Sequence, residues 1–88
     1  VGTYRHVMGL HIDEVKEFFI RILIKLGFEV EQRYHRIKAF NDKSAVLIEL
    51  RELESEVLSI PRTEVLINAP EEVHKCIKTQ IMRLRMGG

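Results

Sequence analysis

Residues Ile12 to Val30, IDEVKEFFIRILIKLGFEV, decide how this chain folds. On a helical wheel advancing about 100° per residue, Val15, Phe18, Phe19, Ile22, Leu23 and Leu26 gather on one side with Ile12. Ile20 and Ile24 fall beside Asp13 and Glu17, outside a stripe of ordinary width. Asp13 and Glu14 open the helix and Lys25 closes it, as the helix dipole prefers. Gly27 is the natural stop, because glycine takes a positive φ without steric penalty. Phe28 and Val30 then start a period-two pattern. The reading is helix, glycine, strand. Burying Ile20 and Ile24 would contribute about 1.5–3 kcal/mol each, so a covering segment or a partner is expected over them.

Downstream, the alternation continues. Phe28–Phe40 reads as one bent strand whose parity switches near His35–Arg36, the mark of a bulge. Asn41–Ser44 is a turn by composition. Ala45–Leu53 alternates cleanly, with Val46, Ile48 and Leu50 on one face and Leu47, Glu49 and Arg51 on the other. Val57–Ile60 and Thr63–Ala69 read as two more strands separated by Pro61-Arg62. Asn68 is a capping candidate for the last helix, with Pro70 in its first turn and Glu71 completing a capping box. Val73, Cys76, Ile77, Ile81 and Leu84 form its apolar stripe, which makes Cys76 a small core hydrophobe. Residues 1–10 read as an edge strand or a flexible leader; as a strand, Tyr4, His6 and Met8 share a face.

The expected architecture is α+β, one domain over residues 1–88, in the order (β)αββββα. It is a two-layer sandwich: an antiparallel four-stranded sheet, with the N-terminal segment as a fifth edge strand, and both helices on one face.

Composition narrows the function classes. The chain has 88 residues, a formal net charge of +1 and a single cysteine. Near-neutral charge excludes polyanion binding by bulk charge, and one cysteine excludes an internal disulfide framework and a cysteine zinc cassette. The absence of a secretory h-region and of a long uncharged apolar run points to a cytoplasmic protein without a membrane span. Scarce Asn and Gln with abundant Glu, Lys and Arg resemble thermophile composition. No cofactor or small-molecule signature is present. The histidines His6, His11, His35 and His74 are not at ligand spacings, so surface positions are expected for them and no metal site.

Two function classes remain. The first is a non-catalytic interaction module, a homodimer or a binder of another protein, using Ile20, Ile24 and the free sheet face at Leu47 and Leu66. The second is contact with DNA or RNA through Arg33, Arg36 and Lys38, joined by Lys75 and Lys78 on the last helix. Against it, Glu49, Glu52, Glu54 and Glu56 can pair with those bases across a hairpin. A third reading rests on Asp42, Glu49 and Arg51, which resemble the D…E-x-K set of restriction-endonuclease-like nucleases. Arginine stands where that family has lysine, so the resemblance implies a degenerate metal-dependent nuclease. On element order the layout resembles one repeat of the TATA-box-binding protein and, more distantly, the double-stranded-RNA-binding domain, whose lysine pair is replaced by Glu71 and Glu72. The closing Arg83–Gly88 is similar to the tail of ubiquitin-like modifiers, reached here from a helix.

Overall fold

The computed structural model describes residues 2–54 and 60–85. Its elements run β1 (Gly2–Met8), α1 (Ile12–Lys25), β2 (Glu29–Arg33), β3 (Arg36–Phe40), β4 (Ala45–Leu53), β5 (Arg62–Ala69) and α2 (Glu71–Arg85). The strands form one five-stranded sheet in the order β1-β5-β4-β3-β2, with every pairing antiparallel. The expected α+β order holds, and the N-terminal segment is a true edge strand. The strand expected at Val57–Ile60 lies almost wholly outside the described residues, as does the end of the Arg83–Gly88 tail; Ile60 itself is exposed coil.

Phe28–Phe40 is two strands, not one bent strand. Arg33 faces Arg36, so Tyr34 and His35 form a two-residue hairpin turn. In such a hairpin the residues facing one another have opposite parity: Val30 lies opposite Ala39 and Gln32 opposite Ile37. The parity switch read as a bulge is this reversal. The next turn is closed by Asn41, whose backbone N–H donates to the Ser44 carbonyl at 3.0 Å. Its side-chain oxygen accepts from the N–H groups of Lys43 and Ser44, each at 2.8 Å, an Asx-type turn.

Alternation puts Ile37, Ala39, Val46, Ile48, Leu50, Val65, Ile67 and Ala69 on the helix-covered face. From α1, Val15, Phe19 and Leu23 are fully buried over them. From α2, Ile77 and Ile81 complete the core. Each large apolar side chain removed from water here contributes about 1.5–3 kcal/mol. The stripe of α2 is rotated from its expected setting: Cys76 is exposed and Leu84 is 40% exposed, while His74 is buried. In this setting the His74 ring stacks on Tyr4 of β1. Asn68 belongs to β5, facing Thr3 and Leu47, and does not cap the helix. The Pro70 carbonyl accepts the first helical bond, from the His74 N–H at 3.0 Å.

The C-terminus of α1 is a Schellman motif. The Phe28 N–H donates to the Leu23 carbonyl and the Gly27 N–H to the Ile24 carbonyl, both at 3.0 Å. Gly27 has φ of 89°, as its sequence position implied. The turn delivers Phe28 into the core beside Leu23 and aims the chain into β2.

Gly27→Ala should lower stability by about 1 kcal/mol, because a Cβ is strained at positive φ. Gly9→Ala should be within a few tenths of a kcal/mol of wild type, since nothing lies within 4 Å of its added Cβ. Urea midpoints at equal m-values measure both.

Candidate functional site

The first candidate surface is the outer flank of α1. On the wheel Ile20 and Ile24 lie to one side of Phe18, Arg21 and Lys25, which line hollows shared with Gln80 of α2, and α1 itself packs against β2. Ile20 is half-buried and packs against the core, together with Val30 of β2. Ile24 remains 59% exposed. The flank was expected to need a cover on both isoleucines; the chain itself shelters much of Ile20 and leaves Ile24 in water. Immediately beside this flank, β2 is the sheet's outer strand and pairs on one side only, with β3.

The second candidate surface is the open face of the sheet. Strand register sets its side chains in cross-strand rows. One row runs Thr3, Asn68, Leu47, Lys38, Glu31; the next runs Arg5, Leu66, Glu49, Arg36, Arg33. Leu47 is half-buried and Leu66 is 36% exposed. The two leucines therefore sit inside charged rows, not in an apolar plain. Arg33, Arg36 and Lys38 do share this face, with Phe40 beside them. Lys75 and Lys78 do not join them, because α2 covers the opposite face. The fold splits the five expected basic residues into two sets a sheet apart. Across the β3–β4 hairpin Arg36 approaches Glu49 at 3.9 Å, the pairing anticipated for that strand.

Glu64 was not singled out by the sequence, yet it is the most enclosed charge on the open face. It sits between Thr63 and Val65 in a strand whose alternate residues are core, and only 8% of it is accessible. Arg5 Nε donates to one carboxylate oxygen at 2.7 Å, and an Arg51 Nη2 atom lies 3.1 Å from the other. The Arg5 hydrogen bond is the main reason its carboxyl is held below the ordinary value of 4.5, with the Arg51 and Arg5 charges adding to it against desolvation. The clamp ties β1, β5 and β4 together. A signal did exist in the sequence: an acidic residue inside an apolar β-run needs a basic partner.

Between β1 and α2 lies a ring cluster. Tyr4 and His74 stack with centroids 3.5 Å apart at 6°, and His6 Nε2 is 3.0 Å from His74 Nε2. One imidazole donates to the other. His74 is 8% exposed and His6 half-buried, correcting the surface positions expected for both. Desolvation chiefly, and then the Lys78 charge one turn on, hold the His74 pKa below the ordinary 6.5. A conventional stripe count missed this residue because histidine was counted as polar.

The nuclease-like set is not assembled. Asp42 lies in the β3–β4 turn, and Glu49 is four residues past the start of β4, roughly 13 Å along the strand. Arg51 is committed to Glu64. Among the described residues, no group of three or more His, Cys, Asp or Glu side chains is arranged to hold a metal ion. Nor is any described helix long and apolar enough to cross a membrane.

Comparison with known proteins identifies a family. The profile of the CHP_AF_0576 family of uncharacterised proteins matches residues 19–88, from the middle of α1 onward. An uncharacterized protein of Archaeoglobus fulgidus is 39% identical over 84 residues, covering 96% of this chain and 98% of that protein. The chain belongs to this family.

Both perturbed groups predict acid-side behaviour. The folded pKa of His74 is depressed, so its contribution is complete above pH 6.5 and is lost as pH falls through the folded value. Glu64 acts likewise below 4.5. Urea stability measured across pH should therefore decline in two stages. His74→Phe should remove the His74 share of the first stage, and Glu64→Gln should flatten the second.

Proposed function

We propose that this member of the family is a small non-catalytic interaction module that associates with a second copy of itself along the β2 edge. The observation that carries the reading is Ile24, 59% exposed on the helix flank next to an unpaired strand edge. One exposed aliphatic side chain is ordinary by itself; it counts here because β2 leaves a row of backbone donors and acceptors open for another strand. Antiparallel addition of a second β2, centred on Glu31, sets Glu29 of each copy opposite Arg33 of the other. Glu31 would meet its own copy, with Lys38 across the β2–β3 pair beside each carboxylate. The same charges that discourage an unrelated strand thus favour an antiparallel copy. Ile24 and Val30 of the two copies then cover one another above the joined sheets.

A second reading, contact with DNA or RNA, is supported by one specific feature. Arg33 and Arg36 face each other across a hairpin, where like charges repel. At the tip beside them Tyr34 is 83% exposed and its ring stacks on His35 with centroids 4.1 Å apart. Guanidinium groups flanking an exposed aromatic ring suit a phosphate and a base.

Light scattering should give twice the single-chain mass. Ile24→Glu should return the monomer and Arg33→Glu should weaken association. Exchanging the pair, Glu29→Arg with Arg33→Glu, should restore it. A wild type that stays monomeric at the highest concentration reached removes the reading. Independently, affinity for short single strands should fall steeply with salt, and Arg33→Glu should reduce that slope by about one. No retention at low salt removes the second reading, and Mg²⁺- or Mn²⁺-dependent cleavage would replace both with the nuclease.

A further inference from the structure

We propose that the corner of the open sheet face around Phe40 is a binding site for a small hydrophobic carboxylate. A cavity of about 500 Å³ opens there, lined by Lys38, Phe40, Lys43, Ala45, Leu47 and Pro70 among others. That volume falls within the range of roughly 300–1,000 Å³ typical of ligand pockets. Register explains the concavity's chemistry. Phe40 pairs with Ala45, and Leu47 lies between Lys38 and Asn68. Phe40, opposite small Ala45, is 41% exposed, and half-buried Pro70 also lines the hollow. Isolated apolar surface residues are ordinary; four of them gathered into one hollow are not.

The charge at the mouth selects the ligand's sign. Lys38 and Lys43 form no ion pair among the described residues, and Glu31, although opposite Lys38 across the β2–β3 pair, does not bridge to it. Two ammonium groups at the rim of an apolar hollow favour an anion with a hydrophobic body. The neighbouring turn then limits how much charge that anion carries. Its Lys43 and Ser44 N–H groups already donate to the Asn41 side chain, so the backbone offers no cradle for a phosphate group. What remains is two flexible point charges, suited to one carboxylate. The site does not rest on self-association, since its lining comes from β3, β4 and the end of β5.

The test is titration of 2-naphthoate into the full chain, followed by backbone amide NMR, with 2-naphthalenemethanol and adenosine monophosphate in parallel. Saturable shifts centred on the amides of Phe40, Ala45, Leu47 and Asn68 are expected. The neutral alcohol should bind about fivefold or more weakly, the effect of losing two solvent-exposed ion pairs. Lys38→Met with Lys43→Met, both at exposed positions, should weaken naphthoate by a similar factor and leave the alcohol unchanged. Equal binding of acid and alcohol, or shifts centred elsewhere, would overturn the proposal. So would tighter binding of the nucleotide at this corner, which would assign the site to a ring bearing a phosphate.

Discussion

A sheet that gathers its large buried residues on one face must be covered on that side, and this requirement governs the whole molecule. Ile37, Ile48, Val65 and Ile67 come from three adjacent strands and are fully buried. They can all be covered only if each strand keeps its register, since a slip of one residue would turn its apolar set outward. α1, carrying Phe19 and Leu23, packs against β2, β3, β4 and β5, and α2, carrying Ile77 and Ile81, packs against β5, so neither helix alone completes the core. The Schellman turn at Gly27 serves the same end by returning the chain to the sheet directly from α1.

This part of the architecture was legible in the residues because it is written in period. The glycine stop, the Asn41 turn and the alternation of Ala45–Leu53 are local signals, and each lies where its chemistry requires. What could not be read depends on pairing between distant segments. A two-residue hairpin and a bulge both invert parity, and only the facing of Arg33 with Arg36 distinguishes them. The setting of α2 brings His74 against Tyr4, a residue on a strand far away in the chain. The Glu64 clamp requires β1 and β4 to flank β5, an order that no local pattern reports. The basic residues were legible as residues but not as a surface, since Lys75 and Lys78 lie on the far layer.

The two faces of the sheet obey different rules. Beneath the helices, shape and burial dominate, and Tyr4, His6 and His74 bring the main polar groups into contact with one another. On the open face charges are matched across and between neighbouring rows, with Arg5 and Arg51 on Glu64 and Arg36 near Glu49. Such matching gives each exposed pair little stability but holds a flat surface in a defined pattern of sign. Its irregularities are informative for that reason: the pairing of Arg33 with Arg36 and the two rim lysines break the pattern.

The strand order also has a consequence in time. β1 is made before the other described strands, yet its one neighbour in the sheet is β5, and the Arg5–Glu64 bridge joins residues 59 positions apart. On a ribosome the hairpins of β2, β3 and β4 can assemble as they emerge, with α1 laid over them. β1 has no sheet partner until β5 is released, so it must wait, unzipped, while all the residues between the two strands are made. A chaperone, or any neighbouring polypeptide with a free margin, would find its opportunity during that interval.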